Sequence, residues 1–512
     1  MSKYLLFFLA FIFFLSEADA QQPEDALKFS WYLPGGTARF NSIGGAVGSL
    51  GGDITANNVN PAGIGLYKTG EVILTPGMLF NNTKSTYLGS DDALKKNGFA
   101  YGATGFVLGS TSRYNGPMVS SAFSISVNQL ASFNNHTYYK GSNNYSSYSE
   151  KYLEELIRDN ASPYAAENNY IFGSSLAYRT YLIDSTNSNG QLIGYKSLVP
   201  IGTGVSQERD EDTKGGIHEI ALAWAGNFAD KLFLGVGLNI PVVDYTRDLS
   251  YKETDLTTNP DNNFDFFEYK ENYRTSGAGI NAKLGFIYKL QDKFRLGFAF
   301  HTPTLLDLKD KIRSSMTTNT EAYAGLLSET SDNLNSGNAG EVHYNLVTPY
   351  RLLGSFSFVF GSVADTKKQK GFITADVEYV NYRGARYSTA AENSDDQTAN
   401  DYYNAMNDVI KDYYKGNFNF KLGGELKFDP IAVRLGGAYY GSPYADKSLK
   451  ASRFLLTGGL GYRKHGYFLD LAYGYSMNKD VNFPYRLNDK ANVFANQQNN
   501  RGNLVFTLGI KI

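Results

Sequence analysis

Five histidines stand in the 512-residue chain, His136, His218, His301, His343 and His465, and cysteine is absent. A hydrolytic site needs a histidine beside a nucleophile or a carboxylate. None of the five lies in a recognisable serine or aspartate signature, and no G-x-S-x-G occurs. His301 is expected to begin a loop and His465 to sit in a tight turn. No two histidines stand at ligand spacing, so no metal site is expected. The absence of cysteine removes disulfides, thiolate catalysis and thiolate-ligated metals. The G-x-G pairs Gly235/Gly237 and Gly277/Gly279 fall inside strand-like runs, where they narrow one face and are not phosphate loops. These residues predict no catalysis, no metal and no cofactor.

Charge on alternating positions is the remaining chemistry. Lys283, Arg295, Asp376, Glu378, Lys421, Glu425, Arg434 and Asp470 each fall on the small or polar side of an otherwise apolar run. Such residues either pair with one another and fix a shape, or one or more of them holds a carboxylate head group. The formal net charge of −2 points to no nucleic acid and no strongly charged partner.

The elements that position these residues are strands. In GNLVFTLGIKI, Leu504, Phe506, Leu508, Ile510 and Ile512 share one face, and Val505, Thr507, Gly509 and Lys511 the other. NFNFKLGGELKF, IAVRLGGAYY and KLFLGVGLNI repeat the period of two. The 52 glycines, 39 tyrosines and 34 phenylalanines, beside two tryptophans, suit strands and turns. Short turns are expected at 228–231, 290–293, 428–430 and 464–466, with moderate ones near 109–117 and 361–370. Long polar connections near 81–98, 131–215, 246–275, 303–345, 383–415, 441–451 and 477–501 alternate with them. Seven long and six short connections join fourteen antiparallel strands, with both barrel ends on the short-turn side. An outer-membrane barrel sorts its loops in this way, and closure satisfies every strand edge. The alternative, a secreted protein of several β domains, leaves the sorting unexplained.

Residues 1–20 read as a removable export leader: Lys3, an apolar core, and a small-x-small site ending at Ala20. The alternative is an N-terminal anchor, but the apolar run is short for a span. Two outer connections carry helical patterns. SEKYLEELIRDN (149–160) has Ser149 as N-cap and Leu153, Leu156 and Ile157 at helical spacing. DYYNAMNDVIKDYYKG (401–416) puts Met406, Val409, Ile410 and Tyr413 on one side. Such faces either pack loop on loop or collect a greasy ligand.

Residues 21–69 differ in character, with nine glycines between 35 and 65. A fourteen-stranded barrel is too wide for its own side chains to fill. A compact, glycine-rich segment entering from the short-turn side would plug it, with the NPAG turn at Asn60, Pro61, Ala62 and Gly63 reversing the chain onto the wall. The alternative is a disordered tail, which the alternation of Ile43, Val47 and Leu50 with small residues argues against.

This plan, with NPAG closing the N-terminal segment, KFRLGFAFHTPTLLDLKD at 293–310 and TPYRLLGSFSF at 348–358, resembles the FadL/OMPP1/TodX family of outer-membrane transport proteins, Bacteroidetes type. The resemblance covers essentially the whole mature chain. It implies a fourteen-stranded barrel with an N-terminal hatch and uptake of hydrophobic small molecules such as long-chain fatty acids or aromatic hydrocarbons. Substrate would be collected by outer loops, pass to a pocket near the hatch and leave through a gap in the wall. The domains expected are a leader (1–20), a hatch (21–69) and an all-β transmembrane barrel (70–512). Leu153, Leu156 and Ile157 are the expected collecting residues, and Phe40, Ile43 and Val47 the expected inner-pocket residues. The expected surroundings are outer-membrane lipid of a Gram-negative bacterium, with the protein a monomer. A water-filled porin and an adaptor barrel of a secretion system are the competing readings.

Overall fold

The computed structural model describes residues 23–112, 116–188, 191–257, 259–361, 369–449 and 451–512. The expected leader and the middles of the two moderate turns lie outside the described residues.

Fourteen antiparallel strands close into one barrel. They are β1 (Glu71–Leu74, Pro76–Tyr87), β2 (Ser90–Tyr101, Thr104–Thr111), β3 (Met118–Ser132, Asn135–Asn143), β4 (Val205–Phe228), β5 (Leu232–Asp255), β6 (Phe266–Gln291) and β7 (Phe294–His301, Leu305–Asn319). Then follow β8 (Gly340–Val347, Arg351–Gly361), β9 (Gln369–Asn381, Arg386–Thr389), β10 (Gly416–Phe428), β11 (Ile431–Tyr440), β12 (Ser452–Lys464), β13 (Tyr467–Asn482) and β14 (Ala495–Lys511). The ring closes where β1 pairs with β14, from Glu71 opposite Lys511 to Thr86 opposite Asn496.

An outward apolar belt follows from the period of two. Along β5, Leu234, Val236, Leu238, Ile240 and Val242 are 37–50% exposed, while Phe233, Asn239 and Val243 are buried. The belt recurs on β10 through Phe418, Phe420, Leu422 and Leu426. Such a surface is stable only against lipid, where closure also satisfies the backbone. All eight inner-face charges expected from the sequence are buried.

The strands are longer than the apolar runs that announced them. β4, β5 and β6 have 24, 24 and 26 residues, about twice the roughly 10 that cross a bilayer. Beyond Val242 the outward positions become Asp244, Thr246, Asp248 and Ser250, yet the ladder continues. The long connections expected at 81–98, 246–275 and 477–501 are therefore mostly strand. The first shrinks to a two-residue turn at Leu88–Gly89, both with positive φ. Past the lipid, neither strand face needs grease, so the alternation fades while the hydrogen bonds persist.

Helices fill several outer connections: α4 (Ser149–Arg158), α5 (Pro163–Asn168) and α6 (Ser174–Arg179) between β3 and β4, α7 (Ser331–Leu334) between β7 and β8, and α8 (Gln397–Tyr413) between β9 and β10, after three N-terminal helices α1 (Pro23–Lys28), α2 (Ala38–Ser42) and α3 (Ala56–Val59). Tyr148, not Ser149, occupies the N-cap position of α4. Val409, expected beside Ile410 on the packed side of α8, is 47% exposed.

Six strands break: β1 at Thr75, β2 at Gly102–Ala103, β3 at Phe133–Asn134, β7 at Thr302–Thr304, β8 at Thr348–Tyr350 and β9 at Tyr382–Ala385. Pro303 and Pro349, which cannot donate to a ladder, account for two of them. One break parts the ladder, although Lys140 N–H of outer β3 still donates to Asp92 of β2 at 3.1 Å. The outer part of β2 pairs only with β1, and the outer part of β3 only with β4. From Tyr101 outward the described β2 and β3 share no ladder.

Candidate functional site

The segment before β1 lies inside the barrel. Thr37 caps α2 by accepting Phe40 N–H at 3.0 Å, and its hydroxyl donates to Asp53 at 2.7 Å. Asn60 caps the 3-10 turn Pro61–Leu66: its Oδ1 accepts from Ala62 N at 3.1 Å. Its Nδ2 donates to Gly48 O at 2.6 Å and faces the carbonyls of Phe286 and Phe298 at 3.2 and 3.3 Å. The NPAG turn thus ties the inner segment to β6 and β7.

Glycine on the wall meets backbone on the segment. A Cβ at Gly285 would stand 2.1 Å from Asn60 Oδ1, one at Gly235 2.3 Å from Ala62 N, and one at Gly436 2.2 Å from the Ile43 carbonyl carbon. The G-x-G narrowing expected from the sequence is, at Gly235, the space that the turn occupies. Charge adds a second tie: Arg39 stands 3.6 Å from Glu425, which accepts from Arg434 at 2.6 Å, and Arg434 reaches Asp470 at 2.6 Å.

The direction of the segment differs from expectation. It does not begin at the short-turn side. Ala26, Leu27, Phe29 and Trp31 pack with Tyr387, Tyr403, Ile410 and Tyr444 of the outer connections. From Pro23 the described chain therefore runs from beneath the outer loops down to β1. Alternation of small and apolar residues carries no information on direction.

Between segment and wall lies a narrow cavity of about 60 Å³. Phe29, Tyr32, Pro34, Phe40 and Val59 form one side; Glu219, Lys283, His301, Arg351, Glu378 and Lys421 form the other. Lys283 is ion-paired with Glu219, which also accepts from Asn58 at 2.7 Å. His301 Nε2 meets Val59 O at 2.8 Å. Arg351 stands 3.7 Å from Glu378 and donates to Ser30 O at 2.5 Å. Lys421 is the exception. Its side chain is 3% exposed, Glu378 is 3.8 Å away, and no hydrogen bond from its ammonium is found among the described residues. Glu378 and the buried Asp376, which stands opposite Lys421 in the β9–β10 ladder, answer its charge, but its hydrogen-bond donors are left to be met.

A second cavity, of about 70 Å³, shares Pro34, Gly35 and Leu130 with the first and reaches Arg501 and Asn503 of β14. Its Tyr101 and Gln129 also line an opening in the wall with Phe99, Asn134 and His218. Chamber, second cavity and wall pocket are neighbours that share lining residues in turn, the last of them beside the parted ladder of β2 and β3. Gly35, fixed by Gly35 N–H to Gln129 O at 3.1 Å and by Asn128 Nδ2 to Gly35 O at 2.9 Å, stands between the two cavities.

Of the expected inner-pocket residues, Phe40 lines the chamber, whereas Ile43 and Val47 pack with Leu50 and Leu353. Of the expected collecting residues, Leu156 is fully buried among tyrosines, Leu153 is partly buried against them, and Ile157 is 61% exposed. Arg351, Glu219 and His301 were not singled out as site residues. Arg351 and Glu219 are legible as inner-face positions, but only the ring brings them to one chamber.

No family model and no curated protein matches the sequence. Solved structures do match. A FadL homologue of Pseudomonas aeruginosa aligns over 94% of this chain and 99% of its own, with a TM-score of 0.55 at 13% identity. The toluene transporter TodX of Pseudomonas putida aligns over the same shares, with a TM-score of 0.51 at 11% identity. The chain therefore has the fold of the FadL- and TodX-type outer-membrane barrels.

Proposed function

We propose that the protein is an outer-membrane channel of a Gram-negative bacterium that takes up hydrophobic small molecules through a plugged barrel and releases them sideways into lipid. Residues 23–69 are the plug. Apolar substrates gain about 0.8 kcal/mol per buried CH2, so a dry path past the polar outer leaflet lowers their barrier. The observation that carries the reading is the row of neighbouring cavities from the chamber to the parted ladder of β2 and β3. Of the two substrate classes considered, the unmet hydrogen-bond donors of the Lys421 ammonium favour an amphiphile with a carboxylate, the long-chain fatty acid type, over a plain hydrocarbon. A filled bore disfavours the porin reading. Ile157, exposed on the outer surface, remains the candidate first contact for ligand, with Phe40 lining the inner pocket.

Uptake of labelled oleate and of toluene into proteoliposomes tests the reading. Lys421→Met should weaken oleate retention by about tenfold, the worth of one charge-assisted hydrogen bond, and leave toluene passage unchanged. Equal loss for both would reject the head-group assignment, and no passage of either would reject the channel.

A further inference from the structure

At the short-turn end of the bore, cations outnumber the carboxylates that answer them. Arg39 on α2, Lys427 on β10, Arg434 on β11 and Arg463 on β12 converge on Glu425 and Asp470. Among the described residues, Arg434 alone hydrogen-bonds to these two carboxylates, at 2.6 Å each. The others stand back: Arg39 and Lys427 lie 3.6 and 3.8 Å from Glu425, and Arg463 lies 3.8 Å from Asp470. Neighbouring charges do not restore the balance. Lys511 stands opposite Glu71 in the ladder that closes the ring, and Lys464 and Asp429 of the adjoining turns offset one another in number. Asp53 is taken up by the Thr37 hydroxyl and the Thr55 N–H. With all of these counted, one cation remains over.

The hydrogen bonds are incomplete at the same place. Arg39 donates to the Gly52 carbonyl at 3.0 Å, and Lys427 to the Gln369 amide oxygen at 2.8 Å. Nε of Arg39, Nη2 of Arg434 and Nε of Arg463 are buried and have no hydrogen-bond partner among the described residues. Unmet donors on charged groups are costly to bury. Space is kept beside them, because a Cβ at Gly461 would stand 2.3 Å from Asp470 Oδ1 and 2.7 Å from Arg434 Nη2. The cluster is reached from one side. The side chains of Arg463 and Lys427 are 40% and 27% exposed, while Arg434 and both carboxylates are buried. Entry therefore lies between the turns at 428–430 and 464–466.

We propose that this cluster binds a phosphate group arriving from the short-turn side, with Arg39, Lys427 and Arg463 as its donors and Arg434 beneath them. The donors come from the inner segment and from separate strands, so they approach from different directions. A planar carboxylate suits a single guanidinium fork, whereas a tetrahedral phosphate turns oxygens toward donors on several sides. Glu425 and Asp470 are already engaged by Arg434, which limits their repulsion of the guest. Because Arg39 belongs to the inner segment and Lys427 and Arg463 to the wall, the bound group joins the two. Free inorganic phosphate and the phosphodiester of a lipid head group share this chemistry. The site stands apart from the cavities on which the channel reading depends and requires no passage of ligand.

The test uses the full mature chain in a non-ionic detergent and phosphate-free buffer. Inorganic phosphate at ten times its Kd, measured by isothermal titration, should slow amide exchange across residues 38–45 by about tenfold. Arg463→Met and Lys427→Met should each weaken phosphate binding by about tenfold, with fast migration on an unheated SDS gel showing that the barrel is intact. Arg274→Met, on outer β6 and paired with Asp244, should leave binding unchanged. Phosphatidylglycerol in mixed micelles, without free phosphate, assigns the source: protection by the lipid alone makes this a head-group site, and protection by inorganic phosphate a solute site. Protection by neither, equal protection by acetate, or phosphate binding undiminished in both variants would overturn the proposal. Oleate uptake that persists in that event leaves the channel reading standing.

Discussion

Asn60 shows how much one side chain can hold in a dry bore. Its amide accepts from Ala62 and donates toward Gly48 and two strand carbonyls. Replacement by alanine leaves several of those groups unmet, a loss of about 2–4 kcal/mol. Asn60→Ala should therefore speed amide exchange across residues 44–66 by about hundredfold while the strand ladder keeps its protection. Asn60→Asp, which retains the acceptor and loses the donor, should fall between. Lys421 is the opposite case, a buried charge that makes no hydrogen bond among the described residues. Its side chain is legible as an inner-face position from the alternation in β10, but its missing hydrogen bonds are not. Pairing depends on which residues of β8 and β9 the ring brings opposite.

Two elements carry tests of the plug and its surroundings. Gly436 on β11 touches the Ile43 backbone. Gly436→Val should force the plug off the wall and raise steady ion conductance in planar bilayers. Gly354→Ala, with nothing within 4 Å of its would-be Cβ, should leave conductance unchanged. On the outer extension of β8, beyond the apolar belt, His343 is hydrogen-bonded to Glu392 and, at 2.6 Å, to Asp307. These carboxylates, Glu392 first, raise its pKa above the ordinary imidazole value. The tie between β8 and the connection carrying α8 is then fully present below that ordinary value and is lost as pH rises through the raised one. Limited proteolysis within residues 385–400 should accelerate as pH rises from below the ordinary imidazole value of about 6.5 through the raised one, and His343→Gln should abolish the dependence. The connections were the least legible elements. The turns at 228–231 and 464–466 stand as expected, because lipid-facing alternation runs up to them. The outer halves of β5 and β6 read as loop because polar residues on both faces erase the period.

At the scale of the molecule, the belt on every side fixes behaviour in solution. Leu435 and Phe428, 70% and 62% exposed, are tolerable only against lipid or amphiphile. The purified mature chain should precipitate when detergent is diluted below its micelle concentration. In detergent it should migrate faster on an unheated SDS gel than on a boiled one, because closure removes the edges at which unfolding starts. A freely soluble chain would contradict both the strand count and the channel.

The sequence by itself determined the barrel, its strand number and the inward face of its charges, because a period of two against lipid is a local property of the chain. Only the tertiary structure decided which charges share the chamber, where the ladder parts between β2 and β3, and that residues 26–31 lie beneath the outer loops. Those depend on which of fourteen strands stand across the bore from one another and on how the leading segment threads it. Contacts of that range, such as Arg351 with Ser30, leave no periodic trace in the residues that make them.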